Sequence, residues 1–301
     1  MANTYSFQKA VSLVDYQPAF ITGTKLQNWG WQAFTTIKQT DRLTEQVFSY
    51  TGLGLPRQTG QQNPFYFDEM HELGATTFTN VKWTLSTRFS YELIKYDKHV
   101  RDLMKKAGQR MGEAHAYRRD LSVAAIFNNA FDSTYAMYDS VELCGSHTLD
   151  DGTTLDNDLT PASLDFDNLW TMINHFATST YNHKGLLIQP KAKWLVTNPI
   201  NRKLVEKILD ADGEPDTVNL NNPNSLANKQ ITPIYCPFLT STTAFFLLGE
   251  EAKDDFLFWN VESPRFDEED DKSVHGTNLF SWQIYSCGPR EFIQVVGNPG
   301  A

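Results

Sequence analysis

The sequence predicts an α+β fold, because stretches with the two-residue period of strands and stretches with the 3.6-residue period of helices occupy separate parts of the chain. The clearest strand is residues 81–89, where apolar and polar positions alternate. The clearest helix is residues 97–130, where apolar residues recur at spacings of three, four or seven. With 301 residues, 41% of them hydrophobic, the chain is long enough to bury a large core.

Charge and cysteine content exclude several classes of protein. The 36 acidic and 26 basic residues give a net charge of −10, which has the wrong sign for a protein that binds nucleic acid through its phosphates. The three cysteines form no C-x₂-C pair, so we expect reduced core residues rather than a disulfide framework or a zinc site. No apolar stretch approaches the ~20 residues of a membrane span. We therefore expect a soluble protein made in the cytoplasm.

The first 90 residues predict an arm followed by a hairpin. Residues 1–50 show no sustained period, which is typical of an extended or partly helical arm. Residues 51–64 are rich in Gly, Pro and Gln and predict turns. We then expect a long hairpin over residues 64–90, led by Phe65 and Phe67. Its second strand places Val81, Trp83, Leu85 and Phe89 on one face, which needs a packing partner because an isolated two-stranded ribbon is marginal in water.

The remaining elements alternate between helices and strands. The helix at 97–130 has a predicted buried stripe at Val100, Leu103, Ala107, Met111, Ala114, Leu121 and Ala125. A second amphipathic helix is predicted over 165–178. A short strand at 194–196 precedes a third helix, which begins with the N-cap Asn198 and Pro199 and ends at 212–213. An Asn-rich loop spans 219–230, and further strands are predicted at 231–235, 244–248, 256–261, 279–287 and 292–296.

Two acidic stretches contain residue types that occur in metal or acid–base sites. In SHTLDDGTTLDND, residues 146–158, no register satisfies the calcium-loop pattern, so a solvated turn is favoured. FDEEDDKSVHG, residues 266–276, is predicted to be a turn between long strands, since closely spaced carboxylates repel unless they are solvated. The chain contains no G-x-S-x-G, H-E-x-x-H or glycine-rich nucleotide motif. We therefore predict no catalytic residues, no metal and no cofactor.

The order of these elements resembles the major capsid proteins of tailed bacteriophages, and in particular the branch of the Mu-type major head subunit. Three stretches carry the resemblance together with the order of elements over nearly the whole chain: TTFTNVKWTLSTRFSYELIKYDKHV at 76–100, LCGSHTLDDGTTLDND at 143–158 and ITPIYCPFLTSTTAFFLLGEE at 231–251. Some relatives carry an N-terminal scaffolding segment, whereas this chain starts with its arm, which favours a separate scaffolding protein.

The resemblance implies the Hong Kong 97-like capsid fold. Its parts map onto this chain as an N-terminal arm at 1–50, an extended hairpin loop at 51–90, a peripheral domain at 91–190 with its spine helix at 97–130, an axial domain at 191–250, and returning strands of both domains at 251–301. A neighbouring subunit is then expected to cover the apolar residues of the hairpin. The predicted inter-subunit contacts are Phe65, Phe67, Val81, Trp83, Leu85 and Phe89.

The resemblance implies a structural function. The chain is expected to assemble with copies of itself, as hexamers and pentamers, into an icosahedral shell around packaged double-stranded DNA. Implied partners are scaffolding, portal and decoration proteins, and the implied location is the virion, assembled in the host cytoplasm. Two alternatives stay open: an encapsulin-type compartment shell, and a carboxylate- or metal-dependent hydrolase using His147, Asp150, Asp151 or Asp156.

Overall fold

A computed structural model describes residues 16–25, 29–96, 99–211, 224–226, 229–271, 273 and 275–301. The helices are α1 at residues 16–23, α2 Tyr91–Tyr96, α3 Val100–Asn128, α4 Phe166–Thr178, α5 Arg202–Leu209 and α6 Ala252–Asp255. The strands are β1 Thr36–Gln39, β2 Thr44–Tyr50, β3 Glu72–Thr79, β4 Val81–Ser90, β5 Ser146–Thr148, β6 Thr154–Asp156, β7 Ala192–Thr197, β8 Thr232–Tyr235, β9 Phe245–Gly249, β10 Phe256–Asp271, β11 Gly276–Pro289 and β12 Val295–Asn298. Among the described helices, none is long and apolar enough to cross a membrane.

The first sheet has the strand order β1-β10-β11-β4, and α3 packs on one of its faces. Its β10–β11 hairpin is antiparallel, whereas β1 lies parallel to β10. The odd-numbered side chains of β11 reach the helix: Ser281 Oγ lies 2.8 Å from His115 Nε2, and Gln283 Nε2 donates to His115 O at 3.1 Å. These bonds satisfy polar groups in an otherwise apolar layer.

The second sheet has the order β12-β9-β7-β8 and separates two cores. Along β9, Phe245 and Leu247 turn to one face and pack with α4 and α5. Phe246 and Leu248 turn to the other face and join the core around Phe127 at the end of α3. Because successive strand residues point to opposite faces, both faces of this sheet are buried. This explains the unbroken apolar run at residues 244–248.

The predicted long helix is confirmed as α3, but its buried stripe differs from the prediction. Leu103 and Ala114 are exposed, while Gly108, Gly112 and His115 are buried. A Cβ atom added to Gly112 would lie 2.2 Å from Phe20 O, so the glycine lets α1 approach α3 closely. Gly108 and Gly112 therefore form a close-packed contact with α1. The predicted stripe of α3 missed these positions because Gly108 and Gly112, which have no apolar side chains, form the contact with α1.

The predicted hairpin over 64–90 is wrong in its pairing. Strand β3 pairs antiparallel with β2, and β4 pairs with β11, almost 200 residues further along the chain. Asn80 lies between β3 and β4, where the chain changes sheets. Its Nδ2 donates to Arg42 O at 2.8 Å, and its Oδ1 accepts from Ser286 Oγ at 2.8 Å. The alternation of apolar and polar residues correctly predicts strand β4, but a local pattern contains no information on its distant partner β11.

Part of the predicted arm belongs to the core. Residues 1–15 and 26–28 lie outside the described residues. Trp31 and Phe34 are buried, Trp31 Nε1 donates to Asp120 Oδ1 at 2.7 Å, and β1 extends the first sheet. The absence of a clear period here reflects an irregular chain held by aromatic contacts rather than an unsupported arm.

The capped helix and the later strands agree with the prediction. Asn198 Oδ1 accepts from Ile200 N at 3.1 Å and caps the turn that begins at Pro199. The predicted end of this helix at 212–213 and most of the Asn-rich loop lie outside the described residues. The carboxylates of 267–271 belong to β10, which runs further than predicted. Strand β11 begins at Gly276, so among the described residues the predicted turn is limited to 273 and 275.

Candidate assembly surfaces

An apolar loop joins the two strands of the β2–β3 ribbon. Residues 51–71 have no regular structure, and most of their large apolar side chains are exposed: Leu53, Leu55, Phe65, Tyr66, Phe67 and Met70. Phe65 and Phe67 are 84% and 85% exposed. Exposed apolar side chains grouped in this way mark an interaction site. We refer to residues 51–71 as the ribbon loop.

Polar contacts hold the two ends of the ribbon loop to the rest of the chain. Thr51 N donates to His71 O at 3.0 Å, which closes the loop at its base. His71 Nε2 lies 2.9 Å from Asp150 Oδ1, and Lys184 Nζ lies 3.4 Å from Asp150 Oδ2. The hydrogen bond from His71 and the charge of Lys184 lower the pKa of Asp150. Gly74, in β3, packs directly on the Tyr138 ring.

Of the predicted contact residues, four are available to another molecule. Phe65 and Phe67 lie in the ribbon loop, and Val81 and Leu85, in β4, are 45% and 41% exposed. No part of the chain that the structure describes covers the larger part of the two phenylalanine side chains. These four residues therefore remain candidates for contacts between subunits.

Trp83 and Phe89 were expected to lack a core within the chain, and this expectation is wrong. The Arg118 guanidinium lies over the Trp83 ring at 3.7 Å, and Tyr285 packs beside it. Phe89 is buried in a cluster that includes Met104. Both side chains point to the face of the first sheet that α3 covers. Trp83 and Phe89 therefore fix β4 within its own subunit.

The acidic stretch at 146–158 is a small hairpin, with β5 and β6 joined by a turn. His147 is completely buried, its Nδ1 lies 2.6 Å from Asp139 Oδ2, and its ring stacks on Phe292 at 3.6 Å. The exposed turn agrees with the predicted solvated loop, whereas the buried His147 does not. Burial together with the charges of Asp156 and Glu142 raises the pKa of Asp158 to about 6. Burial makes the largest contribution to this pKa shift, and the two neighbouring carboxylates add to it.

These contacts disfavour the hydrolase alternative. Asp150 is bound to His71 and Lys184, and Asp151 Oδ1 accepts from Thr153 N at 2.9 Å within the turn. Across the described ranges of the chain, no group of three or more histidine, cysteine or acidic residues is placed to hold a metal ion. His147, Asp150 and Asp151 therefore each have a structural contact, and Asp156 is exposed at the surface of the hairpin.

A buried polar cluster beside the hairpin was not predicted from the sequence. Tyr138 OH donates to Glu291 Oε2 at 2.9 Å, and His183 Nε2 lies 3.5 Å from the same oxygen. Burial and the Glu291 carboxylate raise the pKa of Tyr138 well above its ordinary value, so its hydroxyl stays protonated and donates. The three residues are far apart in sequence and share no motif. The cluster joins the segment that supports the ribbon to the C-terminal strands.

The cysteines are free thiols within the core. Cys144 and Cys236 are buried, and Cys287 is partly buried. Burial raises the pKa of Cys236 and of Cys287 to about 12, and it also raises the pKa of Cys144. A thiol that stays protonated near neutral pH is a poor nucleophile.

The fold is similar to that of capsid subunits. The capsid of cyanophage P-SCSP1u aligns with a TM-score of 0.61 at 11% identity, covering 90% of this chain and 88% of that one. The mature capsid of bacteriophage PhiM1 aligns with a TM-score of 0.59 at 11% identity over 91% and 87%. A virus-like particle from Pyrococcus furiosus gives 0.57 at 9% identity over 94% and 98%. A comparison with curated protein sequences finds no significant match.

The two four-stranded sheets, the long helix α3 and the β2–β3 ribbon form the Hong Kong 97-like fold of a capsid shell protein. The family model for phage capsid proteins matches residues 74–298, so the chain belongs to the phage capsid protein family and is a structural subunit of a capsid shell. The predicted α+β fold and the resemblance to tailed-phage capsid proteins are confirmed. The narrower likeness to the Mu-type branch stays a prediction.

Proposed function

We propose that this chain is the repeating subunit of an icosahedral shell, assembled from hexamers and pentamers, that encloses the packaged double-stranded DNA of a tailed phage or prophage. The observation that carries the proposal is the ribbon loop, whose Phe65 and Phe67 are 84% and 85% exposed. Covering one such side chain is worth ~1.5–3 kcal/mol. A shell repeats that contact in every subunit.

The proposed inter-subunit contacts are Phe65, Phe67, Val81 and Leu85. The exposure of these residues supports the assignment, and the burial of Trp83 and Phe89 reassigns those two to the support of β4. In this proposal the ribbon loop supplies one side of the contact and β4 the other. The contact is heterologous, because different surfaces of the two copies meet, and such contacts form a ring when the rotation between successive copies closes.

The proposed division of the chain follows its two cores. The peripheral domain contains α3 and the first sheet, and the axial domain contains the second sheet with α4 and α5. The cluster in which α4 and α5 pack on the second sheet supports the axial unit, and the other cluster joins that sheet to α3 and the first sheet. The ribbon takes the place of the extended loop, so that loop would begin near β2 rather than at residue 51.

The proposed partners follow from a shell that holds DNA. The net charge of −10 favours a container that does not bind its contents tightly. Scaffolding, portal and decoration proteins are the further partners that we propose, with assembly in the host cytoplasm and the virion as the final location. No membrane contact is proposed.

Expression of the chain with its scaffolding protein tests the proposal. Negative-stain microscopy should show closed particles, and light scattering should show a mass far above the 34.3 kDa of one subunit. A single species of subunit mass at assembly concentrations would contradict the proposal. The compartment alternative predicts particles that contain a protein cargo, whereas the phage proposal predicts nuclease-protected DNA in particles purified from an infected or induced host.

A further inference from the structure

Strand β4 has one edge to which no other described strand pairs. It is the last strand of the first sheet and pairs on one side with β11. Leu85 O accepts from Ser281 Oγ at 3.0 Å, and Tyr91 N donates to His275 O at 2.7 Å. Alternate residues of an antiparallel strand turn both backbone groups to the partner, so the odd-numbered residues of β4 face β11. The even-numbered residues face outward, and within the described parts of the chain their backbone groups pair with no other element.

The two sides of this edge differ in character. On the side shared with α3, Val81 and Leu85 are partly exposed. On the opposite side lie Lys82 and Arg88, the latter 3.2 Å from Asp271. A second β4 paired at the same edge would bring four basic side chains together, which disfavours that arrangement. The edge therefore fits a strand that carries apolar residues on one side and acidic residues beside the basic ones.

Residues 64–70, with the sequence PFYFDEM, have this character. They form neither helix nor strand, and in the described structure no backbone–backbone hydrogen bond involves them. Phenylalanine and tyrosine favour strands. In an extended chain, Phe65 and Phe67 share one side, with Glu69 at its end, and Tyr66 and Asp68 share the other, with Met70 at its end. The Asp68 carboxylate accepts from Gly54 N at 2.6 Å, which lowers its pKa and keeps it ionised.

We propose that residues 64–70 of one subunit add to the outer edge of β4 in a second subunit, as a fifth strand of its first sheet. Phe65 and Phe67 then cover Val81 and Leu85, and Asp68 lies on the side of Lys82 and Arg88. Backbone hydrogen bonds supply affinity, and the alternating side chains select the partner. The inference rests on the proposed function, because it requires two copies in contact.

Substitution of Ser86 distinguishes strand addition from other contacts. Ser86 is even-numbered, so Ser86→Pro removes an outward N–H and leaves the ladder to β11 intact, which an edge strand tolerates. Ser86→Ala is the matched control, because it removes the hydroxyl and keeps the N–H. Loss of one hydrogen bond weakens each contact about tenfold. We expect both variants to fold by circular dichroism, and shells to form from Ser86→Ala and not from Ser86→Pro.

The outcomes separate the two proposals. Shells from both variants would overturn strand addition and leave the capsid function standing. No shells from either variant or from the unmodified chain, with scaffold present, would overturn the capsid function and the strand addition with it.

Disulfide formation between mixed subunits provides a test that does not depend on how Ser86→Pro folds. Residues opposite each other on paired strands have Cα atoms ~4.5–5.5 Å apart, within the range of a disulfide. Leu85→Cys subunits mixed with Phe65→Cys or Phe67→Cys subunits should give a cross-linked dimer on oxidation. Thr84→Cys, whose side chain lies on the other side of the strand, is the control. Shells that form without the Leu85 cross-link, or that cross-link equally well through residue 84, would overturn the proposal.

Discussion

His115 is a polar residue on the buried face of α3, beside Ser281 and the Arg119 guanidinium. Burial and the nearby Arg119 charge lower its pKa to about 4, so it is neutral in the folded subunit at neutral pH. The unfolded chain binds a proton near pH 6.5. Between pH 6.5 and 4 the unfolded state therefore holds more protons, and the free energy of unfolding falls as the pH falls.

His115→Gln should flatten this pH dependence. Glutamine keeps a polar contact with Ser281 and does not titrate. The lowered pKa of His115, in contrast, corresponds to a change of about 3 kcal/mol in the free energy of unfolding across this pH range. Urea unfolding at pH 7 and at pH 4.5 measures the difference for the unmodified chain and for the variant. Thr84→Ala, at an exposed position without a titratable side chain, is the control and should keep the pH dependence of the unmodified chain. If the free energy of unfolding depended on pH equally in the unmodified chain and in His115→Gln, the pH dependence could not come from His115.

Substitution of Trp83 and substitution of Phe67 should have different effects on the free energy of unfolding of the subunit. Trp83 packs under Arg118 and against the core, so Trp83→Ala should lower the free energy of unfolding by roughly 3 kcal/mol. Phe67 is exposed, so Phe67→Ser should change it by less than about 0.5 kcal/mol. Urea unfolding of the unassembled subunit compares the two. A stable Trp83→Ala subunit would restore the interpretation of this side chain as a contact between subunits.

At the scale of elements, the sequence predicts what depends on neighbours along the chain. Helices α4 and α5 were predicted because their apolar stripes and their caps at Asp165 and Asn198 are local. The partner of β4 and the cluster of Tyr138, His183 and Glu291 were not, since each joins distant segments. Phe65 and Phe67 are exposed among the described residues, as a contact between subunits requires, and the contact itself stays a prediction.

The crossing of α1 and α3 gives a prediction for a whole element. Alanine is the better helix former than glycine by ~1 kcal/mol, so Gly112→Ala should stabilise an isolated helix. The added Cβ would lie 2.2 Å from Phe20 O, so α1 would have to move away. This displacement destabilises the subunit by more than the higher helix propensity of alanine stabilises it. We expect a net loss of about 1–2 kcal/mol in urea unfolding. Ala114→Ser, on the exposed side of α3, is the control, and equal stability of the two variants would show that α1 is free to shift.

At the scale of the whole molecule, the ribbon loop should be separable from the fold. Thr51 and His71 already pair through their backbones, so an Asn-Gly turn in place of residues 52–70 closes the ribbon without strain. The shortened subunit should keep its circular dichroism spectrum and its urea midpoint, and should form no shells with scaffold. A variant with Phe65→Ser and Phe67→Ser keeps the loop length and separates the effect of apolar area from that of the backbone. Normal shells from the shortened chain would contradict the role of the loop.

The β10–β11 hairpin also determines how a subunit bears mechanical force. Its strands of 16 and 14 residues extend for about 50 Å at ~3.3 Å per residue. Cross-strand hydrogen bonds lie perpendicular to the strands, so tension along the hairpin loads many of them together, whereas tension across it breaks them one after another. The register is irregular between Asn260 and Arg265, which divides the ladder into two sections. In a shell under pressure from within, we expect the subunit to be stiffest along this hairpin and to yield first at that irregular stretch.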